Sequence, residues 1–302
     1  MNGPKFASQY VGRFAPSPTG DLHFGSLVTA VASYLQAKKS GGKWVLRVED
    51  IDPPREVVGS AARIILDLSH FGLIADEPAL FQSQRSGAYE QACERLLSTH
   101  QAYWCGCSRT DLPASGVYPG TCRNGLPPGK QPRSIRIKVS STPIRFHDRL
   151  QGEQIDNLAA SVGDFVIRRA DGLFAYQLAV VMDDAFQNIT EVVRGADLLD
   201  STARQIHLQS CLGLPTPTYA HLPVALLSDC SKLSKSSHSD PVRCELPVVS
   251  LRLALAFLGH AAPVQDLAGA WQWALENWSL DNVPQVPARL FAASAFNAIC
   301  AE

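Results

Sequence analysis

No sign of charge dominates this sequence, and that absence excludes a good deal. Its 27 lysines and arginines stand against 28 acids, a formal net charge of −1. No global field therefore draws the chain to nucleic acid, and any such contact needs a local patch. Cysteine is sparse and unevenly spaced. Cys93, Cys105, Cys107, Cys122, Cys211, Cys230, Cys244 and Cys300 do not make a disulfide framework in a chain of this size. No uncharged apolar run reaches the roughly 18 residues that span a bilayer, and no basic leader opens the chain. Internal repeats and low-complexity tracts are missing as well. The expectation is a soluble, cytoplasmic protein with neither membrane nor DNA among its partners. What is present is an apolar share of 46%, enough to bury a substantial core in one large domain with appendages.

The first half alternates strand-like and helix-like segments, the pattern of a parallel sheet covered by helices. A strand at residues 10–14 leads through a Pro and Gly turn to a helix at 25–39, which Gly41 and Gly42 end, and a buried strand follows at 43–49. Helices are expected at 56–70 and 87–97, then a short strand around Tyr103. From Cys105 to Leu158 prolines, glycines and basic residues interrupt the alternation, as in an insertion. The pattern then resumes with a largely apolar segment at 173–182, a strand at 189–193, a helix at 198–211 and a strand at 219–227. Helices are expected at 251–258, 267–278 and 288–299. The organisation read from this is a doubly wound catalytic domain in two halves, residues 9–104 and 159–240. An insertion at 105–158 divides them, and a helical region at 241–302 follows.

Residues 13–26 read RFAPSPTGDLHFGS, a strand end, a Pro and Gly turn, then His and Gly at a helix start. Gly20 and Gly25 permit close backbone approach, and free amides near Gly25 suit a phosphate, with His23 as a further donor. A histidine in a tight surface turn would give the same letters. Arg13 and Glu49 close their strands where doubly wound sheets bind ligands. The arginine suits a carboxylate and the glutamate an ammonium, although the two could also pair with each other or with Asp50 and Asp52.

Residues 232–236 read KLSKS. Lys232 and Lys235 among small residues can bring ammonium groups to a polyphosphate, with Lys235 as the phosphate contact, or the loop can simply be solvated. Within the insertion, Cys105, Cys107, Tyr118 and Cys122 form C-x-C-x10-Y-x3-C. Three thiolates at that spacing can hold zinc if a fourth ligand is found, or can be free cysteines beside a packed tyrosine. Residues 123–149 carry seven lysines and arginines against the single acid Asp148, a local excess that could follow a phosphate backbone or form a solvated hairpin.

PSPTGDLHFGS and KLSKS together resemble the HIGH and KMSKS signatures of class I aminoacyl-tRNA synthetases, and RFAPSPTG is similar to the glutamyl and glutaminyl branch. The resemblance spans residues 10–241 and departs mildly from the signatures at Phe24, Ser26 and Leu233. It implies a Rossmann-like α/β fold and an adenylate-forming reaction between an amino acid and ATP with magnesium. His23 and Lys235 would be catalytic, and Gly25, Lys232, Ser234 and Ser236 would join them around ATP. Arg13, Phe14, Ala15, Pro16, Ser17, Glu49, Tyr176 and Arg194 map onto the amino acid pocket. Two arginines there favour L-glutamate over glutamine, by about 1.5–3 kcal/mol per charged hydrogen bond. The cysteines with Tyr118 are similar to the arrangement on which the glutamyl-queuosine tRNA(Asp) synthetases, short relatives of the glutamyl enzymes, carry zinc, and four protein ligands with no open position would make that ion structural.

Only 66 residues follow Ser236, too few for a large anticodon-reading region. The expected helices there, with Leu251, Leu253, Leu255, Phe257, Trp271, Trp273 and Trp278, suit packing against the catalytic domain. That combination resembles the glutamyl-queuosine enzymes, which implies transfer of glutamate to the queuosine base in the anticodon loop of tRNA(Asp), a single-stranded setting read by shape and stacking. Two other readings stay open. One is a truncated glutamyl-tRNA synthetase charging an acceptor end, and the other is a noncatalytic binding module of synthetase descent.

Overall fold

The computed structural model describes residues 9–226, 246–264 and 266–291. Two parallel sheet segments form its centre. In one, β1 (Val11–Phe14) pairs with β2 (Lys43–Val48), which pairs with β3 (Leu80–Phe81). In the other, β9 (Glu191–Gly195) pairs with β10 (Thr218–Leu222). On the far side of β10 lies the hairpin of β6 (Ile144–Asp148) and β7 (Gly152–Asp156). The segments meet edge to edge, where the Thr190 amide donates to the Val11 carbonyl at 2.9 Å. The central order is thus β3-β2-β1-β9-β10, and the direction of winding reverses between β1 and β9. Open α/β sheets place their ligand at such a reversal, beyond the strand ends.

Helix α1 (Phe24–Lys39) is apolar on most sides because it is covered on most sides, with Leu27, Val31 and Leu35 fully buried. Helix α7 (Pro247–Phe257) joins its core through Leu251, Leu255 and Phe257, and α8 (Leu267–Asn277) through Ala270 and Ala274, while Leu253 is buried but lies outside that cluster. Trp271, Trp273 and Trp278 pack against the same core. Trp278 Nε1 donates to Gln36 Oε1 at 3.0 Å and Trp271 Nε1 to the Phe71 carbonyl at 2.7 Å. A second core surrounds α5 (Tyr176–Phe186) and involves α3 (Ser86–Ser98), α6 (Leu199–Leu212) and a small sheet. That sheet is antiparallel, with β5 (Ser134–Ile137) between β4 (Ala102–Cys105) and β8 (Val166–Arg168).

Three expectations need correcting. The helix expected from residue 56 is α2 (Ser60–His70), because a 3-10 turn at Pro53–Arg55 and the left-handed Gly59 precede it. The strand expected at 219–227 is two, β10 and β11 (Val224–Leu226), divided at Pro223, which has no amide to donate. The helix expected at 288–299 opens as a strand, β12 (Ala288–Leu290), paired parallel with β11. Its apolar letters suit helix and strand alike, and the open edge of β11 decides between them. Residues 292–299 lie outside the described residues. Among the described residues no helix is long and apolar enough to cross a membrane.

Candidate active site

Above the reversal point lies a cavity of about 610 Å³ lined by Arg13, Phe14, Ala15, Pro16, Ser17, His23, Gly25, Glu49, Tyr176 and Arg194, among others. The eight residues expected around an amino acid, and two of those expected around ATP, therefore share one space. Lys232, Ser234, Lys235 and Ser236 lie outside the described residues.

Each wall follows from a local feature. Arg13 leaves β1 nearly buried, and its Nε donates to Asp184 Oδ1 of α5 at 3.3 Å. Glu49 follows β2, where its amide donates to the Pro16 carbonyl at 2.9 Å and ties the two strand ends together. The turn between β1 and α1 is held by Ser60 at the start of α2, whose Oγ donates to the Gly20 carbonyl at 2.5 Å. His23 is the N-cap of α1, with Nδ1 accepting from the Ser26 amide at 3.2 Å. The histidine thus orders the helix end whose remaining first-turn amides and dipole favour an anion.

Arg13 and Glu49 do not pair with each other or with Asp50 and Asp52. Asp184 takes Arg13, and the fully buried Arg47 of β2 lies between Asp184 and Glu49, with Nη1 2.7 Å from Asp184 Oδ1 and Nη2 3.5 Å from Glu49 Oε1. Burial pushes the Glu49 carboxyl up, against the pull of Arg47 and Arg13. Asp184 is also penalised by burial, yet its two arginines outweigh that and hold it below the ordinary aspartate value. Tyr176 is pushed up to about 12, by burial and then by the charge of Glu49, so it meets a ligand as a neutral hydroxyl.

Arg194 of β9 donates from Nε to His221 Nε2 at 2.9 Å and from Nη2 to Thr202 Oγ1 at 2.9 Å. Its Nη1 is buried without a partner among the described residues. A buried guanidinium nitrogen left unbonded is costly and suits an incoming oxygen acceptor. Arg13, Arg55 and Arg194 share the lining with Asp21, Glu49, Asp197 and Tyr176, a balanced set that suits a ligand carrying both carboxylate and ammonium groups, such as an amino acid.

Sequence reasoning missed Arg47, Asp148, Asp184 and His221. A charge inside the apolar strand KWVLRV, the acid pair that closes the apolar run of α5 and a histidine within TYAHL were the available signals.

Beyond β4, the sulfurs of Cys105, Cys107 and Cys122 lie within 4.8 Å of one another, and those of Cys107 and Cys122 are 3.7 Å apart. A tetrahedral zinc with bonds of about 2.3 Å would set its sulfurs roughly 3.8 Å apart. Tyr118 Oη stands 3.3 Å from Cys105 Sγ and 3.7 Å from Cys107 Sγ, close to the roughly 3.5 Å such a centre would require between oxygen and sulfur. The cluster is compatible with a metal site. Of the seven basic residues downstream, Arg123 is held by Asp164, Lys130 by Asp111, Arg136 by the Asp164 carbonyl and Arg149 by Glu191. Among the described residues, Arg133, Lys138 and Arg145 are the three of the seven with no such side-chain contact.

Residues 9–115 and 124–245 match the family described as tRNA synthetases class I (E and Q), catalytic domain. A glutamyl-Q tRNA(Asp) synthetase of Dechloromonas aromatica is 51% identical over 94% of this chain and 97% of its own length. The chain belongs to the glutamyl-Q tRNA(Asp) synthetases, a family of class I synthetase-like ligases. The glutamyl-Q tRNA(Asp) synthetase of Chromobacterium violaceum is 49% identical over 93% of this chain and 97% of its own length. Among solved structures, a glutamate tRNA ligase from Elizabethkingia meningosepticum, in complex with its amino acid, superposes with a TM-score of 0.82 at 27% identity, covering 97% of this chain and 69% of that one. The α/β class I catalytic fold of the family is the fold seen here.

Proposed function

We propose that this protein activates glutamate with ATP, without needing RNA, and transfers the glutamyl group to the queuosine base in the anticodon of tRNA(Asp). The observation that carries the reading is the pocket holding Arg13, Arg194, Glu49 and Tyr176 beside the N-terminus of α1, in a chain half identical to glutamyl-Q tRNA(Asp) synthetases. Arg13 and Arg194 bind the side-chain carboxylate, Glu49 takes the ammonium group, and Tyr176 orients the ligand. The reacting carboxylate then attacks the α-phosphorus of ATP and pyrophosphate leaves. His23, the first-turn amides of α1 and Lys235 hold the phosphates in line, so that catalysis rests on alignment and charge stabilisation. Magnesium carried by the nucleotide would supply further phosphate neutralisation. In the second half-reaction a queuosine hydroxyl attacks the adenylate carbonyl and AMP departs.

Cys105, Cys107, Cys122 and Tyr118 would hold one zinc ion structurally, since four protein ligands leave no open position. Burial, then the hydrogen bond with Cys105, pushes the Tyr118 hydroxyl up, so a phenolate there depends on a cation at the centre of the cluster.

The test is pyrophosphate exchange in the absence of tRNA. Exchange that depends on glutamate and is poorly supported by glutamine is expected. Exchange that requires tRNA, or that prefers glutamine, would overturn the assignment.

A further inference from the structure

Arg194 is held by a buried chain of polar groups that the proposed chemistry does not itself use. His221 of β10 is fully buried, as is Asp148 at the end of β6. His221 Nδ1 lies 2.5 Å from Asp148 Oδ2, and Asp148 Oδ1 accepts from the amides of His221 at 3.1 Å, Leu150 at 3.0 Å and Gln151 at 2.9 Å. An aspartate with these donors is kept ionised, and it draws the imidazole proton to Nδ1. The other ring nitrogen must then accept, which is what the Arg194 Nε contact requires, because a guanidinium can only donate. Thr202 Oγ1, from α6, accepts from Arg194 Nη2 and lies 3.3 Å from the same ring nitrogen. Two of the three guanidinium nitrogens are thereby fixed, one from β10 and one from α6, and Nη1 is the one left buried without a partner among the described residues.

We infer that Asp148 and His221 form a positioning pair that orients Arg194 and so sets selectivity for a ligand carboxylate. The inference rests on the proposed glutamate pocket and adds to it residues that line no part of the cavity. A neutral, Nδ1-protonated His221 is essential to it. An imidazolium would offer Arg194 no acceptor and would place a third positive charge beside Arg194 and Arg13. An Nε2-protonated ring would meet the Arg194 donor with another donor.

Pairing His221→Asn with His221→Gln tests this. The asparagine amide overlays Nδ1 and keeps the bond to Asp148 while removing the acceptor for Arg194, whereas the glutamine oxygen overlays Nε2 and keeps that acceptor. In pyrophosphate exchange, H221N should raise KM for glutamate by about tenfold or more, the expected effect of one mispositioned charged hydrogen bond. KM for ATP should stay close to the wild-type value, the preference for glutamate over glutamine should shrink, and H221Q should recover most of the loss. Nitrogen-15 spectra of histidine-labelled wild-type protein should show His221 neutral and protonated at Nδ1, a readout that does not depend on how the variants fold. Wild-type KM and selectivity in H221N, equal damage to both substrates in both variants, or an imidazolium or Nε2-protonated His221 would overturn the inference. Wild-type protein inactive with glutamate would instead refute the proposed function.

Discussion

Asp184 is the carboxylate on which the floor of the pocket depends. It receives Arg13 Nε at 3.3 Å and Arg47 Nη1 at 2.7 Å, and all three side chains are nearly or fully buried. Replacing Asp184 by Asn removes the charge that two buried guanidinium groups share, leaving Arg13 without its ion-pair partner and Arg47 with only the longer contact to Glu49 at 3.5 Å. Breaking a buried ion pair from one side costs about 3–5 kcal/mol. Asp184→Asn should therefore shift the urea midpoint down by that equivalent with an unchanged slope, and should weaken glutamate binding through Arg13. A loss below about 1 kcal/mol would mean that the arginines find other acceptors. At this scale the eight residues expected around an amino acid were legible in the sequence and share one cavity, whereas the residues that support them were not legible. Arg13 stands in RFAPSPTG, Glu49 closes a buried strand, and Arg194 follows from the family resemblance. Asp184 and His221 matter through partners 171 and 27 positions away, a distance that no local pattern reports.

Among the elements, the loop carrying the cysteines makes a close backbone approach to the body of the fold, besides the ion pair of Arg123 with Asp164. Tyr118 forms an isolated bridge with Gly163, and the Tyr118 amide donates to the Val162 carbonyl at 3.1 Å. Gly163 has φ of +70°, and a Cβ there would stand 2.2 Å from the Tyr118 carbonyl oxygen. Gly163→Ala must therefore push the Tyr118 segment away. The expected outcome is a lower thermal midpoint and faster loss of the proposed zinc to a chelator, measured by metal analysis, and an unchanged metal content would show that the cysteines hold it without this contact. Asp164, the next residue, accepts from Arg123, Tyr103 and the Val139 amide, which explains why an apparently basic stretch spends much of its charge internally. The parallel strands and their helices could be read from apolar periodicity. β12 could not, because a short apolar segment becomes a strand only when an edge such as that of β11 is available to pair with it.

For the molecule as a whole, three histidines, His221 and His260 buried and His207 half-buried, set the direction of its acid response. His207, His221 and His260 are all pushed down, in each case first by burial. The folded chain keeps them neutral, whereas the unfolded chain protonates them as pH falls through about 6.5. The unfolded state then binds more protons, so stability is full above that value and declines as pH falls toward the folded-state values. Asp148 and Asp184, both held below the ordinary carboxylate value despite burial, extend the loss below about pH 3.9. Urea midpoints should be lower at pH 5.5 than at pH 7.5. An equal or higher midpoint at pH 5.5 would contradict this account of the three histidines.

The same scale holds the central claim, that a class I catalytic fold delivers glutamate to a modified anticodon base. Labelled glutamate offered with ATP to matched preparations of tRNA(Asp), one containing queuosine and the other guanine at that position, tests it most directly. Label on the queuosine-containing tRNA alone is the predicted result. Label on both preparations, on neither, or on the acceptor end of tRNA(Glu) would contradict it.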